Sequence, residues 1–312
     1  MSLPKKIRIV EVGPRDGLQN EKKVISTELK AQFIRDLSDT GHQTIEVTSF
    51  VRPDRIPQMS DAKELFPLVR DLDKSADLVC LVPNLKGLEL AASLGVKEIA
   101  VFTASSDTFN QRNINATISQ SFERIEPVIK EALNQGMKVR GYVSTAFGCP
   151  YEGYVNPEKV REVAKRLEGL GCYELSLGDT VGTGSPLSVS RALDLILKDI
   201  DVSKIALHFH DTRGMALANI MKGLEYGVSV FDASAGGLGG CPYAKGATGN
   251  VATEDLVYLC QCLGIDCGVD LDKLTHASRR MLSELGKPTT SKFLQAYSNA
   301  KDANESLYLP TP

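Results

Sequence analysis

Eight short apolar runs, each followed by a stretch of helical period, predict one α/β domain, a closed (β/α)8 TIM barrel with extra C-terminal helices. The runs stay apolar instead of alternating, as strands covered on both faces do. No Gly/Ser/Pro-rich linker divides them, and 312 residues shared among eight units is about 39 per unit. The bare fold needs roughly 250 residues, so the surplus is expected in an active-site loop and in helices after Asp272. The barrel is placed over about 5–270 and the helical extension over about 271–300, within one domain. An open, doubly wound sheet is the competing architecture.

The expected strands are Ile7 to Val12, Thr44 to Phe50, Asp77 to Val82, Glu98 to Ser105, Lys138 to Thr145, Tyr173 to Asp179, Ile205 to Asp211 and Ser229 to Gly237. Ser26 is a natural N-cap for a helix over Thr27 to Asp39. Asn156 caps a second over Pro157 to Leu170, with proline at the first helical position. Gly41, Gly95, Gly136, Gly171 and Gly227 each fall just after a helical stretch, where a left-handed C′ residue belongs.

Composition excludes several classes. With 36 basic and 39 acidic side chains the net charge is -3, and no basic tract offers a nucleic-acid footprint. The start, MSLPKKIRIVEVGPRDG, has no apolar signal core, and nothing later approaches a membrane span. Seven cysteines, odd in number and without a C-x-x-C pair, fit reduced thiols. A cytoplasmic enzyme is the expectation, with Cys260 and Cys262 as packing residues.

In such a barrel, function gathers at the C-terminal ends of the strands, and polar residues do cluster there. The first run opens into Gly13-Pro14-Arg15-Asp16-Gly17-Leu18-Gln19-Asn20-Glu21, and the second holds Glu46. The sixth ends in Gly178-Asp179-Thr180, the seventh in His208-Phe209-His210-Asp211, and the eighth in Gly236-Gly237-Leu238-Gly239-Gly240-Cys241. His208 and His210 stand two apart, so on a strand both face the axis. They read either as a metal-binding edge or as two buried, hydrogen-bonded histidines. Strands one, seven and eight adjoin on closure, which lets Asp16 and Asn250 add oxygen ligands; two nitrogens and two oxygens suit Mg²⁺ or Mn²⁺, and Zn²⁺ is compatible.

Arg15 reads as a local salt-bridge partner or as a cation waiting for an anion. Asp179 reads equally as a helix cap or a site residue. Glu254 is either a first-turn acid or a carboxylate orienting Asn250 one helical turn away. Arg112 and Asn113 form part of a polar loop after the fourth run, able to meet an anionic ligand end or simply lie on the surface. Asp211 and Thr212 are read as caps. The glycine cluster fits no phosphate-loop pattern and reads as a flap over the site.

These motifs carry a family resemblance. EVGPRDGLQNE (Glu11 to Glu21), RGYVS (Arg140 to Ser144), GCPYEG (Gly148 to Gly153), LGDT (Leu177 to Thr180), HFHDT (His208 to Thr212) and GLGGCPYA (Gly237 to Ala244) resemble the 3-hydroxy-3-methylglutaryl-CoA lyase family, one of the metal-dependent aldolases built on TIM barrels. The likeness runs from about residue 5 to about residue 290. It implies Asp16, His208, His210 and Asn250 as ligands of a divalent cation, Arg15 as the enolate-stabilising cation and Cys241 as a catalytic cysteine. Asp16 and His208 are the catalytic candidates among the ligands. Gln19, Glu46, Asp179, Glu254, Arg140 and Asn113 are placed around substrate and ligands.

The resemblance further implies an acyl-CoA substrate, a homodimer, and a place in leucine breakdown or ketone-body formation. A departure stands after the second strand, where Arg52-Pro53-Asp54-Arg55 replaces the family's Ser-Pro-Lys-Trp. The alternatives are a condensing synthase running the same chemistry in reverse, and an acyl-CoA-binding barrel without catalysis.

Overall fold

A computed structural model describes residues 3–240 and 249–302. Among these, eight parallel strands close in chain order: β1 (Arg8–Glu11), β2 (Thr44–Ser49), β3 (Asp77–Leu81), β4 (Glu98–Ala104), β5 (Lys138–Ser144), β6 (Glu174–Asp179), β7 (Ile205–Phe209) and β8 (Val230–Ala233), with β8 pairing back onto β1. Closure excludes the open sheet. The helices are α1 (Thr27–Asp39), α2 (Ala62–Val69), α3 (Leu85–Ser93), α4 (Asp107–Ile114), α5 (Ile118–Asn134), α6 (Pro157–Gly169), α7 (Pro186–Ile196), α8 (Ala216–Glu225), α9 (Thr253–Leu263), α10 (Leu271–Leu285) and α11 (Lys292–Asp302). The last two supply the C-terminal helices expected after the barrel.

Local signals act as the residue types require. Ser26 accepts the Leu29 N–H and Asn156 the Glu158 N–H at the starts of α1 and α6. The five glycines expected behind helices all adopt positive φ, from 76° at Gly136 to 101° at Gly171. Arg112 and Asn113 depart from expectation. They lie exposed in α4, which Ser106 caps, and not in a loop. Arg112 sits over the Tyr151 ring at 4.4 Å.

The apolar core lies between strands and helices. Ile45, Val101, Val139, Leu177, Leu207 and Phe231 point outward into it, together with Phe66, Phe122 and Leu256. Cys260 joins this core, whereas Cys262 is exposed, so only the first packs as expected. The six described cysteines are free thiols.

The barrel interior is different in character. Small apolar groups such as Val10, Val12, Ala206 and Val230 share it with a column of charge. Arg8 at the lower end bonds Thr44 and pairs with Glu174. Glu174 accepts from Arg140 Nε at 2.7 Å, and Arg140 Nη2 reaches Asp232 at 2.6 Å. Arg140 Nη1 donates to the Tyr142 hydroxyl, which in turn donates to Glu46. The inward positions of these strands are therefore half polar, unlike the uninterrupted apolarity expected. The mechanism is mutual satisfaction: each buried charge meets an opposite one, and Arg140, fully buried, places its guanidinium between two carboxylates.

Truncating Arg140 while its two carboxylates stay buried should cost about 3–5 kcal/mol. Arg140→Ala is thus expected to lower the urea midpoint strongly, or to prevent folding; an unchanged midpoint would show that the column contributes nothing to stability.

Candidate active site

Directly after β1, Gly13–Gly17 forms a π-helical turn that brings Arg15 and Asp16 over the barrel mouth. The turn sits close against the stem of the glycine loop. A β-carbon at Gly17 would lie 2.7 Å from Ser234 Oγ and 2.9 Å from Leu238 Cβ, so a larger residue would push the two apart.

Arg15 is gripped on two sides. Nη1 donates to Asp16 Oδ1 at 2.7 Å, and Nη2 meets Glu46 Oε2 at 2.6 Å. Asp16 in turn accepts from Gln19 Nε2 on Oδ1 and from Asn250 Nδ2 on Oδ2, both at 2.8 Å. Burial pushes the Asp16 carboxyl up, but Arg15, His208 and His210 outweigh it and hold the pKa at about 2. Asp16 is thus a fixed anion.

His208 and His210 face the axis together, with ring centroids 5.2 Å apart, while Phe209 packs outward against Phe147. The Nε2 atoms of both lie 4.0 Å from Asp16 Oδ2. Ligand atoms of Asp16, His208 and His210 all fall within 4.8 Å of one another. Asn250, the fourth residue expected there, is bridged to His210 through the backbone. Among the described residues, Asn250 Oδ1, His210 Nδ1, Arg15 Nε and Glu46 Oε1 are buried without a hydrogen-bond partner. These are four of the eleven such atoms among the described residues, and they leave the mouth with donor and acceptor capacity that a ligand could use. The donor set, imidazole nitrogen with carboxylate and amide oxygen, suits a divalent cation.

Three expected residues take other tasks. Glu254 does not touch Asn250; its two oxygens accept the Gly236 N–H at 3.0 Å each. Its place in the first turn of α9 aims it back at the loop stem. Asp179 accepts the N–H groups of Thr183 and Gly184 and so shapes the turn after β6. Burial raises its pKa to about 6. Arg140 lies below the mouth in the ion-pair column. Asp211 accepts the Ala216 N–H at the start of α8, as a capping acid does. Cys241 and the tip of the expected flap lie outside the described residues.

Two residues without an assignment from sequence prove central. Asp232 faces His208 Nδ1 at 3.2 Å. Glu11 accepts from the Gly13 and Ala235 N–H groups and from Thr253 Oγ1, pinning the π-turn and the glycine stem to the same carboxylate. An acid inside an apolar strand was the signal for both.

The HMGL-like family matches residues 6–281 of the chain. The chain belongs to that family. A mitochondrial hydroxymethylglutaryl-CoA lyase of Pongo abelii is 49% identical over 295 residues, 95% of this chain and 90% of the relative. The crystal structure of hydroxymethylglutaryl-CoA lyase from Pseudomonas aeruginosa superposes with a TM-score of 0.93 at 49% identity, covering 96% of this chain and 99% of that one. An HMG-CoA lyase from Acinetobacter baumannii, solved with coenzyme A and 3-methylmalate, gives 0.89 at 36% identity over the full length of both. No helix among the described residues is long and apolar enough to cross a membrane.

Burial raises the Glu254 carboxyl from 4.5 to about 8 and Glu11 to about 7. A raised folded pKa adds stability that is complete below the unfolded value and fades as pH climbs through the folded one. Wild-type stability should therefore decline between about pH 4.5 and pH 8, and Glu254→Gln, which keeps an acceptor for Gly236, should decline less. Parallel pH profiles of the melting temperature for the two proteins would refute this.

Proposed function

We propose that this chain cleaves 3-hydroxy-3-methylglutaryl-CoA to acetyl-CoA and acetoacetate, with Mg²⁺ or Mn²⁺ held by Asp16, His208, His210 and Asn250. The observation that carries the reading is the buried Arg15–Asp16 pair meeting two axial histidines at the mouth of an HMGL-like barrel. Relatives named as this lyase span nearly the whole chain, which supports the substrate. The chemistry such a cation supplies is Lewis-acid polarisation of the substrate's oxygens, which acidifies the tertiary alcohol.

The rest falls to the chain. As the C2–C3 bond breaks, the alcohol loses its proton, the C3–O bond becomes the acetoacetate carbonyl, and the bonding pair passes to C2 as the thioester enolate. Arg15, clamped by Asp16 and Glu46, meets charge on the thioester oxygen without having to reorganise. It thus favours the enolate over the ground state. Burial opposes protonation of Arg15, yet Glu46 and Asp16 keep the guanidinium charged. Gln19 fixes the Asp16 carboxylate on its Arg15 side. Since Asp16 is a fixed anion and His208 serves as a ligand, proton transfer is assigned to Cys241 and a bound water, with the enolate carbon taking a proton to give acetyl-CoA. Asn113, exposed on α4, is assigned to the acyl-CoA, and the enzyme to the cytoplasm as a homodimer.

A coupled assay of acetyl-CoA release tests this. Cleavage should require Mg²⁺ or Mn²⁺ and stop in EDTA. It should fall in kcat at least about 10²-fold in Arg15→Gln, as when a developing oxyanion loses a preorganised donor. No cleavage by folded, metal-loaded wild type would sink the substrate assignment, and an Arg15→Gln enzyme of near-normal kcat would sink the enolate role.

A further inference from the structure

Asp232 is an aspartate in the middle of β8, flanked by the apolar Phe231 and Ala233 and 1% exposed. It lies level with His208 in the β7–β8 register and with Val10 in the β1–β8 register, so its side chain enters the barrel below the mouth. Oδ1 accepts from Arg140 Nη2 at 2.6 Å, and Oδ2 accepts from the Ser176 hydroxyl at 2.7 Å and faces His208 Nδ1 at 3.2 Å. A carboxylate gripped by a buried guanidinium stays ionised and can only accept. The ring atom opposite it must then be the donor.

We propose that Asp232 is the positioning residue of the candidate metal edge: it holds His208 as the Nδ1–H tautomer and so directs the Nε2 lone pair toward the Asp16 side. The inference rests on the metal-dependent reading above and deepens it. His210 offers the internal contrast, since its Nδ1 is buried without a partner among the described residues. The two histidines of one motif therefore differ in how firmly they are held. Arg140 extends the support downward, because its other face is fixed by Glu174, which also pairs with Arg8. The orientation of a ligand at the mouth is thus tied to the barrel floor through alternating charges, the arrangement in which a hydrogen-bonded carboxylate fixes ring tautomer and raises ligand basicity.

The test begins with the wild-type protein, so that no variant has to fold. With only four histidines in the chain, ring ¹⁵N resonances can be assigned by a His208→Gln spectrum. In metal-free protein, at a pH where the imidazole is neutral, His208 should show a protonated Nδ1 and an unprotonated Nε2. An Nε2–H tautomer there overturns the proposal. Mn²⁺ affinity is then measured by electron paramagnetic resonance on Asp232→Asn and on Asp232→Asn/Arg140→Gln, the second removing the buried pair together while Glu174 retains Arg8. Loss of the fixed tautomer with affinity about 10–100-fold weaker is expected, whereas wild-type tautomer and affinity in either folded variant refute it. HMG-CoA cleavage is scored separately: wild type with the expected tautomer and Mn²⁺ binding but no cleavage would overturn the lyase reading alone.

Discussion

Arg140 and the carboxylates it separates are the constraint on which the rest of the molecule depends. Three arginines, Arg8, Arg140 and Arg15, alternate with Glu174, Asp232, Glu46 and Asp16 from the floor of the barrel to its mouth. Taking such charges out of water costs several kcal/mol each, and well-packed apolar residues would often serve stability as well or better. What the charged column adds is uniqueness. Its pairs bind β1 to β6, β6 to β5, β5 to β8, and the turn after β1 to β2. A slip of one residue in any of these strands would turn a charge outward into the apolar layer and strand its partner.

The mouth is held by a second use of carboxylates. Glu11 and Glu254 do not face the candidate ligand set; they accept backbone N–H groups of Gly13, Ala235 and Gly236. These groups stand at the starts of two short helical turns, Gly13–Gly17 and Ala235–Gly237, whose first N–H groups have no partner within the turn. The first segment carries Arg15 and Asp16, and the second leads into the glycine loop. His42 sits nearby, its Nε2 3.6 Å from Glu11 Oε2, and burial lowers its pKa to about 4, so it remains neutral beside that acid at physiological pH. The site is therefore built between two supports, ionic from below and hydrogen-bonded from the side.

Much of this was legible in the sequence, and the pattern of success is physical. Strand and helix placement rested on apolar runs, caps and glycines, which act within a few residues and emerged within one or two residues of expectation, except that β8 stops at Ala233, four residues before the expected Gly237, where the glycines turn the chain. The alternation of His208 and His210 depended only on strand geometry, and it held. What escaped was long-range. Glu254 and Asn250 are four apart in sequence, yet Glu254 turns to Gly236 because α9 begins between them. Asp232 and Arg140 are 92 residues apart and meet only because the barrel closes. Asp179 read equally as a helix cap or a site residue; the structure shows it anchoring the turn after β6, while Ser185 caps α7. A single chain carries no signal of such pairings except their oddity, a charge in an apolar run.

That oddity also bears on the cation. Three interior arginines stand against four carboxylates, with His210 held neutral chiefly by burial. A thioester substrate with its own carboxylate, passing through an enolate, would bring further negative charge to a mouth where Arg15 is already engaged by Asp16 and Glu46. In a site of low dielectric that repulsion is poorly screened. A divalent cation among Asp16, His208, His210 and Asn250 would reverse the local balance and give Asn250 Oδ1 the partner it lacks. The same ion-pair column that fixes the barrel thus leaves its mouth electrostatically incomplete, and the position of that deficit, beside Arg15 and not below it, is what makes the arrangement suited to an anionic transition state.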